Sequence, residues 1–350
     1  MKKAIIYILF SLLPTINLCA QEVMLFKQHN MKRWDIPAGN YSGITHIEGD
    51  RYALVSDKPE ADGWTEVNIS FLPSGDIEKM QFIAQHFNAQ SVGKARDAEG
   101  IVYVPHEGFF VGAENDQQIL AFSEDGNPTG VGLPVPTSFG PANIYSNYGF
   151  ESLTSNRKTG IIWTTTEQGL ITDVPKPSSP SFPQPTLLRI LSFDFNRRFL
   201  NQYAYKTEPP VTNGSSRHYA FGVSEMLSLN DTTLLVMERE LNIPANYNRS
   251  RCNIRIYSMN PEKSSPINDF STPLSGMDNA SFLAKKLVCA FKTSFSIFGK
   301  KNLANYEGMC LGPELPDGKQ TILLVSDSQS RAGNAFFHLK DYIRVIVVSN

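Results

Sequence analysis

Long apolar runs, cysteines and clustered basic residues are scarce in this chain, and each scarcity narrows what it can be. Beyond the first twenty residues no segment is apolar enough to cross a bilayer, which takes about 20 residues for ~30 Å of hydrocarbon, so no integral membrane segment is expected. The 32 Lys and Arg residues face 34 Asp and Glu, and no basic patch invites nucleic acid. Of four cysteines, only Cys252, Cys289 and Cys310 lie past residue 20, and an odd number rules out a complete disulfide framework. Cys252 and Cys289 fall in neighbouring predicted strands, which leaves one bridge open; the other reading is of small buried hydrophobes. Histidines number six, and no G-x-S-x-G, H-E-x-x-H or P-loop pattern occurs. Helical periodicity is missing too, which points to one large all-β domain.

The N-terminus reads as a secretory signal peptide over residues 1–20, followed by an N-terminal segment, residues 21–37, and one domain over residues 38–350. Lys2 and Lys3 precede the apolar stretch Ala4 to Leu13, and Leu18-Cys19-Ala20 offers a small-residue cleavage site. Lipidation at Cys19 is the weaker alternative, because Leu18 is large for the preceding position. Export to the periplasm or medium is expected, with 30 basic residues left against 34 acidic ones once Lys2 and Lys3 are gone.

What the chain does have is a unit repeated five times: an acid or serine, an apolar strand, a tight polar turn, and a second apolar strand ending in an acid. The copies run from Ser42 to Asp57, Glu99 to Glu114, Glu151 to Glu167, Ser224 to Glu238 and Glu307 to Asp327. Each extends into two further strand-like runs rich in β-branched and aromatic residues; the fifth is completed by Ala335 to Leu339 and Tyr342 to Val348. Four strands per repeat around a channel make a β-propeller blade. Five blades are predicted. Val23 to Ile36 either closes the ring on the last blade or belongs to a divergent sixth. Turns between first and second strands are short. The long connections Gln168 to Thr186, Lys206 to Phe221, Glu240 to Arg251 and Pro261 to Lys285 are expected on the opposite face, which would carry function.

In an antiparallel hairpin the start of one strand lies beside the end of the next, so opening and closing acids should meet on the long-loop face. The expected pairs are Glu99 with Glu114, Glu151 with Glu167, Glu225 with Glu238 and Glu307 with Asp327, with Ser42 facing Asp57. Like charges so placed destabilise a sheet. Three remedies offer themselves: a divalent cation such as Ca²⁺, which takes six to eight oxygen ligands; neighbouring Arg96, Arg217, Arg239, Lys58 or Arg331; or backbone N–H groups of the adjacent blade. Metal ligands are therefore sought among Asp57, Glu99, Glu114, Glu167, Glu238 and Asp327. Groups acting on a substrate are sought among Glu99, Glu151, Glu225 and Glu307, with Arg96 and Arg239 for phosphate oxygens and His218 as the loop histidine.

The phrases Ser42-Gly43-Ile44, Asp97-Ala98-Glu99-Gly100-Ile101, Gly149-Phe150-Glu151-Ser152-Leu153, Val223-Ser224-Glu225-Met226 and Asn305-Tyr306-Glu307-Gly308-Met309, with Leu311-Gly312-Pro313 and Leu323 to Asp327, resemble the family named for the esterase-like activity of phytase. The match runs from about residue 38 to the C-terminus. The resemblance implies a propeller, an exported bacterial protein and phosphate-ester hydrolysis on a small phosphorylated or ester substrate. A monomer is expected. The reading from a different class is a non-catalytic propeller of the cell envelope that binds a ligand or protein through its long loops.

Overall fold

A computed structural model of the chain describes residues 23–349, apart from 268, 332, 335 and 336; the signal-peptide reading lies outside them. The described residues hold no α-helix, only short 3₁₀ turns, and their strands form five antiparallel blades arranged as a β-propeller. The N-terminal segment supplies β1 (Met24–Leu25) and β2 (His29–Asn30). Blade one is β3 (Tyr41–Glu48), β4 (Arg51–Ser56), β5 (Gly63–Phe71) and β6 (Ile77–Phe87). Blade two is β7 (Ala98–Val104), β8 (Gly108–Ala113), β9 (Gln118–Phe122) and β10 (Pro128–Gly132). Blade three is β11 (Phe150–Asn156), β12 (Ile161–Thr166), β13 (Leu187–Asp194) and β14 (Phe199–Lys206). Blade four is β15 (His218–Ser228), β16 (Leu234–Ile243), β17 (Ser250–Met259) and β18 (Lys285–Phe295). Blade five opens with β19 (Asn305–Glu314) and β20 (Gln320–Asp327). A separate hairpin of β21 (Gly333–Asn334) and β22 (Phe337–His338) follows, before β23 (Tyr342–Val348).

The ring is closed by the N-terminus: β1 pairs with β23, Met24 opposite Val347, and β2 pairs with the other end of β23. The outermost strand of blade five therefore comes from Val23 to Ile36; of the expected strand Ala335 to Leu339, the first two residues lie outside the described ones and Phe337–His338 belongs to the small hairpin. No sixth blade is needed. The connection after β17 also departs from expectation. It joins the third and fourth strands of blade four and runs along β14, with the amides of Ile267 and Leu283 donating to the carbonyls of Gln202 and Ala204.

Packing follows the seams. Each of the five large apolar clusters lies between two consecutive blades, as with Val55 and Trp64 of blade one against Phe109 and Val111 of blade two, and Leu54 and Tyr52 of blade one against Val345 and Leu323 of blade five. Burying such side chains contributes about 1.5–3 kcal/mol apiece. Cys252 faces Thr293 and Cys289 faces Ile256, so no bridge joins the two thiols, which fill the core between blades four and five.

Candidate active site at the channel mouth

All five inner strands carry a β-bulge at the same place. The register skips Ser42, Glu99, Glu151, Ser224 and Glu307, each left without a partner on the second strand. A bulge bends the strand and re-aims the extra side chain, here at the end of the channel where the second strands terminate. The next residue in blades one, two and five is glycine, for a steric reason. A Cβ on Gly43 would lie 2.6 Å from the carbonyl oxygen of Glu99, and one on Gly100 would lie 2.8 Å from that of Glu151. The Glu-Gly pair of the repeat is thus a bulged carboxylate followed by a point of close contact between blades.

Counting from the bulge corrects the expected pairing in blade four. Val223 pairs with Glu238 and Glu225 with Met237, so Ser224 takes the place of Glu99, and Arg239 takes the place of Glu114, Glu167, Asp57 and Asp327. Glu238 turns away from the channel: its carboxylate accepts from Tyr205 Oη at 2.7 Å and the Glu208 amide, and pairs with Lys285 at 2.7 Å and Arg255 at 3.4 Å. Glu225 sits where the glycines sit elsewhere, and its Oε1 accepts the amides of Leu153 in blade three and Met226, each at 3.0 Å. Leu153 and Met309 also line a cavity of about 320 Å³ at the opposite end of the channel, among the short turns. Signals for this offset stand in the sequence. Aligning the apolar residues Ile44, Ile101, Leu153, Met226 and Met309 puts Ser224, not Glu225, at the acid position.

Eight carboxylates then converge: Asp57, Asp97, Glu99, Glu114, Glu151, Glu167, Glu307 and Asp327. Oxygens of Asp57, Asp97 and Glu99 lie within 4.8 Å of one another, and so do those of Glu114, Glu151 and Glu167. Both groups straddle a seam, because the end of one blade's second strand abuts the start of the next blade's first: the Glu114 carboxylate accepts the Gly149 amide at 3.1 Å. Glu99 therefore clusters with Asp57 of the preceding blade, while Glu151 and Glu167 meet within their own blade as expected. Asp97 was not singled out from the sequence; its place just ahead of β7, two residues before the bulged Glu99, brings it in.

Two cations face these acids. Arg239 is 3% exposed, donates to Glu167 Oε1 at 2.9 Å and lies 3.3 Å from Glu307 Oε1. Lys58 holds Asp57 Oδ2 at 2.6 Å with its side chain 61% exposed. Burial pushes Glu114, Glu167 and Glu307 up to about 7, with the Arg239 charge opposing the rise in each. Burial and the surrounding carboxylates push Glu99, Glu151 and Asp327 well above the ordinary range. Burial works against the Arg239 charge, but Glu167, Glu307 and Glu151 hold it firmly protonated. Asn305 Nδ2 adds a bond to Glu307 at 2.7 Å, and the Gln329 amide one to Asp327 at 2.7 Å. The half-buried Tyr148 lies close enough to Glu167 for its charge to raise the phenol further, after burial.

Other candidates lie elsewhere. Arg96 is locked in blade two, forked onto Asp116 at 2.7 and 2.9 Å and onto the carbonyl of Gln118. His218 is exposed at the start of β15. Arg217 stacks over Tyr247. An all-oxygen donor set with unpartnered lone pairs, including Asp57 Oδ1, suits a hard divalent cation such as Ca²⁺.

In overall shape the chain is similar to a luciferin-regenerating enzyme (10% identity over 93% of this chain and 97% of that one, TM-score 0.42). It is also similar to virginiamycin B lyase from Staphylococcus aureus (12% identity, 93% and 100% covered, TM-score 0.35). A third likeness is to the catalytic domain of the Coprinopsis cinerea GH62 α-L-arabinofuranosidase (11% identity, 89% and 92% covered, TM-score 0.41). No curated protein matches the chain in sequence. Residues 36–329 match the Phytase-like family described as "Esterase-like activity of phytase", and on that match, spanning every inner strand and its bulge, the chain belongs to this family.

Proposed function

We propose that the protein is an exported phosphoric-ester hydrolase that works at the channel mouth on a small phosphorylated or ester substrate with the help of a divalent cation. The observation that carries this reading is the gathering of eight carboxylates at the channel mouth, two triads among them, with a buried guanidinium paired to Glu167 and Glu307, and membership of a family described by an esterase-like activity supports it. Buried acids that titrate near neutrality are suited to hold or accept a proton at working pH. Glu167 and Glu307 are assigned that role, and Glu151, held well above the ordinary carboxylate range by burial and its carboxylate neighbours, is assigned to hold a proton. Arg239 fixes Glu167 and Glu307, and its Nε, buried without a hydrogen-bond partner, is available to a substrate oxygen. Asp57, Asp97 and Glu99 are the residues that would hold Ca²⁺, with Glu114 and Asp327 beside them. When bound, the cation would polarise a phosphoryl oxygen and lower the pKa of water.

The test is turnover of phytate, a chromogenic phosphomonoester and a chromogenic phosphodiester by the purified protein in CaCl₂ and in chelator. Calcium-dependent hydrolysis of at least one is expected, lost in Glu151→Gln. Failure on all three would leave a non-catalytic envelope propeller as the better reading. That alternative draws on the bonds that Glu114 and Glu225 accept from backbone amides of neighbouring blades, which tie the ring together.

A further inference from the structure

The two carboxylate triads face the same problem and meet it differently. Glu114, Glu151 and Glu167 have a guanidinium built in: Arg239 is 3% exposed, ion-paired to Glu167 at 2.9 Å, and anchored on β16, so it cannot leave. Asp57, Asp97 and Glu99 have only Lys58, one residue along from Asp57 in the connection after β4, with its side chain 61% exposed. An ammonium on a flexible four-carbon stem is free to swing into water. Asp57 itself is 6% exposed, and its Oδ1 has no hydrogen-bond partner. Asp97 Oδ1 is likewise buried without a partner. Both residues, with Glu99, bring one carboxylate oxygen each within 4.8 Å of the others, an incomplete oxygen shell on the seam between blades one and two.

We infer that this seam is an exchangeable divalent-cation site, with Asp57, Asp97 and Glu99 as ligands and Lys58 as a tethered counter-ion that the cation displaces. The second triad, already neutralised in part by Arg239, takes no cation of its own. The inference rests on the reading of the acid cluster as cation-assisted, but it separates the cluster into a metal half and a proton-handling half. Lys58 then has a defined role: its ammonium occupies the charge deficit when the cation is absent and swings out when the cation binds. Affinity is thereby set by a competition inside the protein as well as by the ligands.

The test is calorimetric titration of the purified full chain with CaCl₂ after chelator treatment, alongside the calcium-induced shift in melting temperature. One high-affinity site is expected in the wild type. Asp97→Asn should weaken it by roughly tenfold or more, through loss of one ligand charge, and Glu167→Gln should leave it within about threefold, since that residue belongs to the other triad. Lys58→Gln, on a side chain 61% exposed, should tighten binding several-fold. Absence of calcium binding, weaker binding in Lys58→Gln, or sensitivity to Glu167→Gln without sensitivity to Asp97→Asn would each overturn the assignment. Because the readout is binding, calcium bound without turnover would sink only the hydrolase, whereas turnover without calcium binding would sink this site, and the cation's part in hydrolysis with it, while leaving the hydrolase.

Discussion

A guanidinium sealed between two carboxylates is expensive to desolvate, and it is retained only where removing it would cost more. Arg239 is in that position. Replacing it with methionine would strand Glu167 and Glu307 in a dry site, and the expected loss is about 3–5 kcal/mol at pH 7, measured by urea denaturation. Without Arg239 both carboxyls rise further above the ordinary value, so at pH 7 folding must protonate groups that the unfolded chain leaves ionised, whereas at pH 5 little of that cost remains and the same variant should lose markedly less; an equal loss at both pH values would show that packing, not charge, is what Arg239 contributes. At this scale the sequence was legible for the acids of blades one, two, three and five. In blade four it misled. Glu225 and Glu238 have the residue type of the ring but each stands one residue out of register, beside Ser224 and Arg239, an offset that matching acids by type hides and aligning the apolar residue Met226 with those of the other blades exposes. Asp97 escaped notice for the related reason that a position before a strand has no fixed direction until the bulge is known.

At the scale of strands and seams, the repeat's small residue is a steric requirement. Gly100→Ala should cost about 1–3 kcal/mol through overpacking against the Glu151 carbonyl. Gly276→Ala, where an added Cβ meets nothing within 4 Å, should be close to neutral. Thermal melts of the two variants compare them, and equal behaviour would remove the inter-blade contact as the reason for the motif. Most strands were readable from alternating β-branched and aromatic runs. The outer strand of blade five was readable only in part: ring closure by Val23 to Ile36 was one of two readings, but Ala335 to Leu339 has the right composition for a blade strand, and the short strands Met24–Leu25 and His29–Asn30 depend on pairing with β23 across the whole chain. The connection after β17 was misplaced because its length suggested a functional loop, while its amides are committed to the edge of β14.

For the whole molecule, the acid ring sets the pH dependence of stability. Burial holds Glu114, Glu167 and Glu307 near 7 in the folded chain, against about 4.5 when unfolded. Below pH 4.5 both states carry the proton and nothing is lost. Between 4.5 and 7 the unfolded chain releases its protons first, so stability falls; above 7 both states are ionised and the loss levels off. In chelator the melting temperature should therefore drop over that window. The drop should shrink in Glu114→Gln and, at pH 7, be largely reversed by CaCl₂. A melting temperature that rises through this window in wild type, with no change in Glu114→Gln, would mean that the carboxylates are solvated and not coupled to the fold.

Closure of the ring has a consequence for biogenesis. Met24 and Val347 are partners, yet the ribosome makes one before blade one and the other after the inner strands of all five blades. Blades one to four can each complete their own sheet during synthesis, but blade five has only β19 and β20 until β23 is made. Throughout that interval the N-terminal segment lacks its partner, and two nascent chains could exchange it. Holding the N-terminal segment back from early pairing would then decide whether one chain closes on itself or two close on each other.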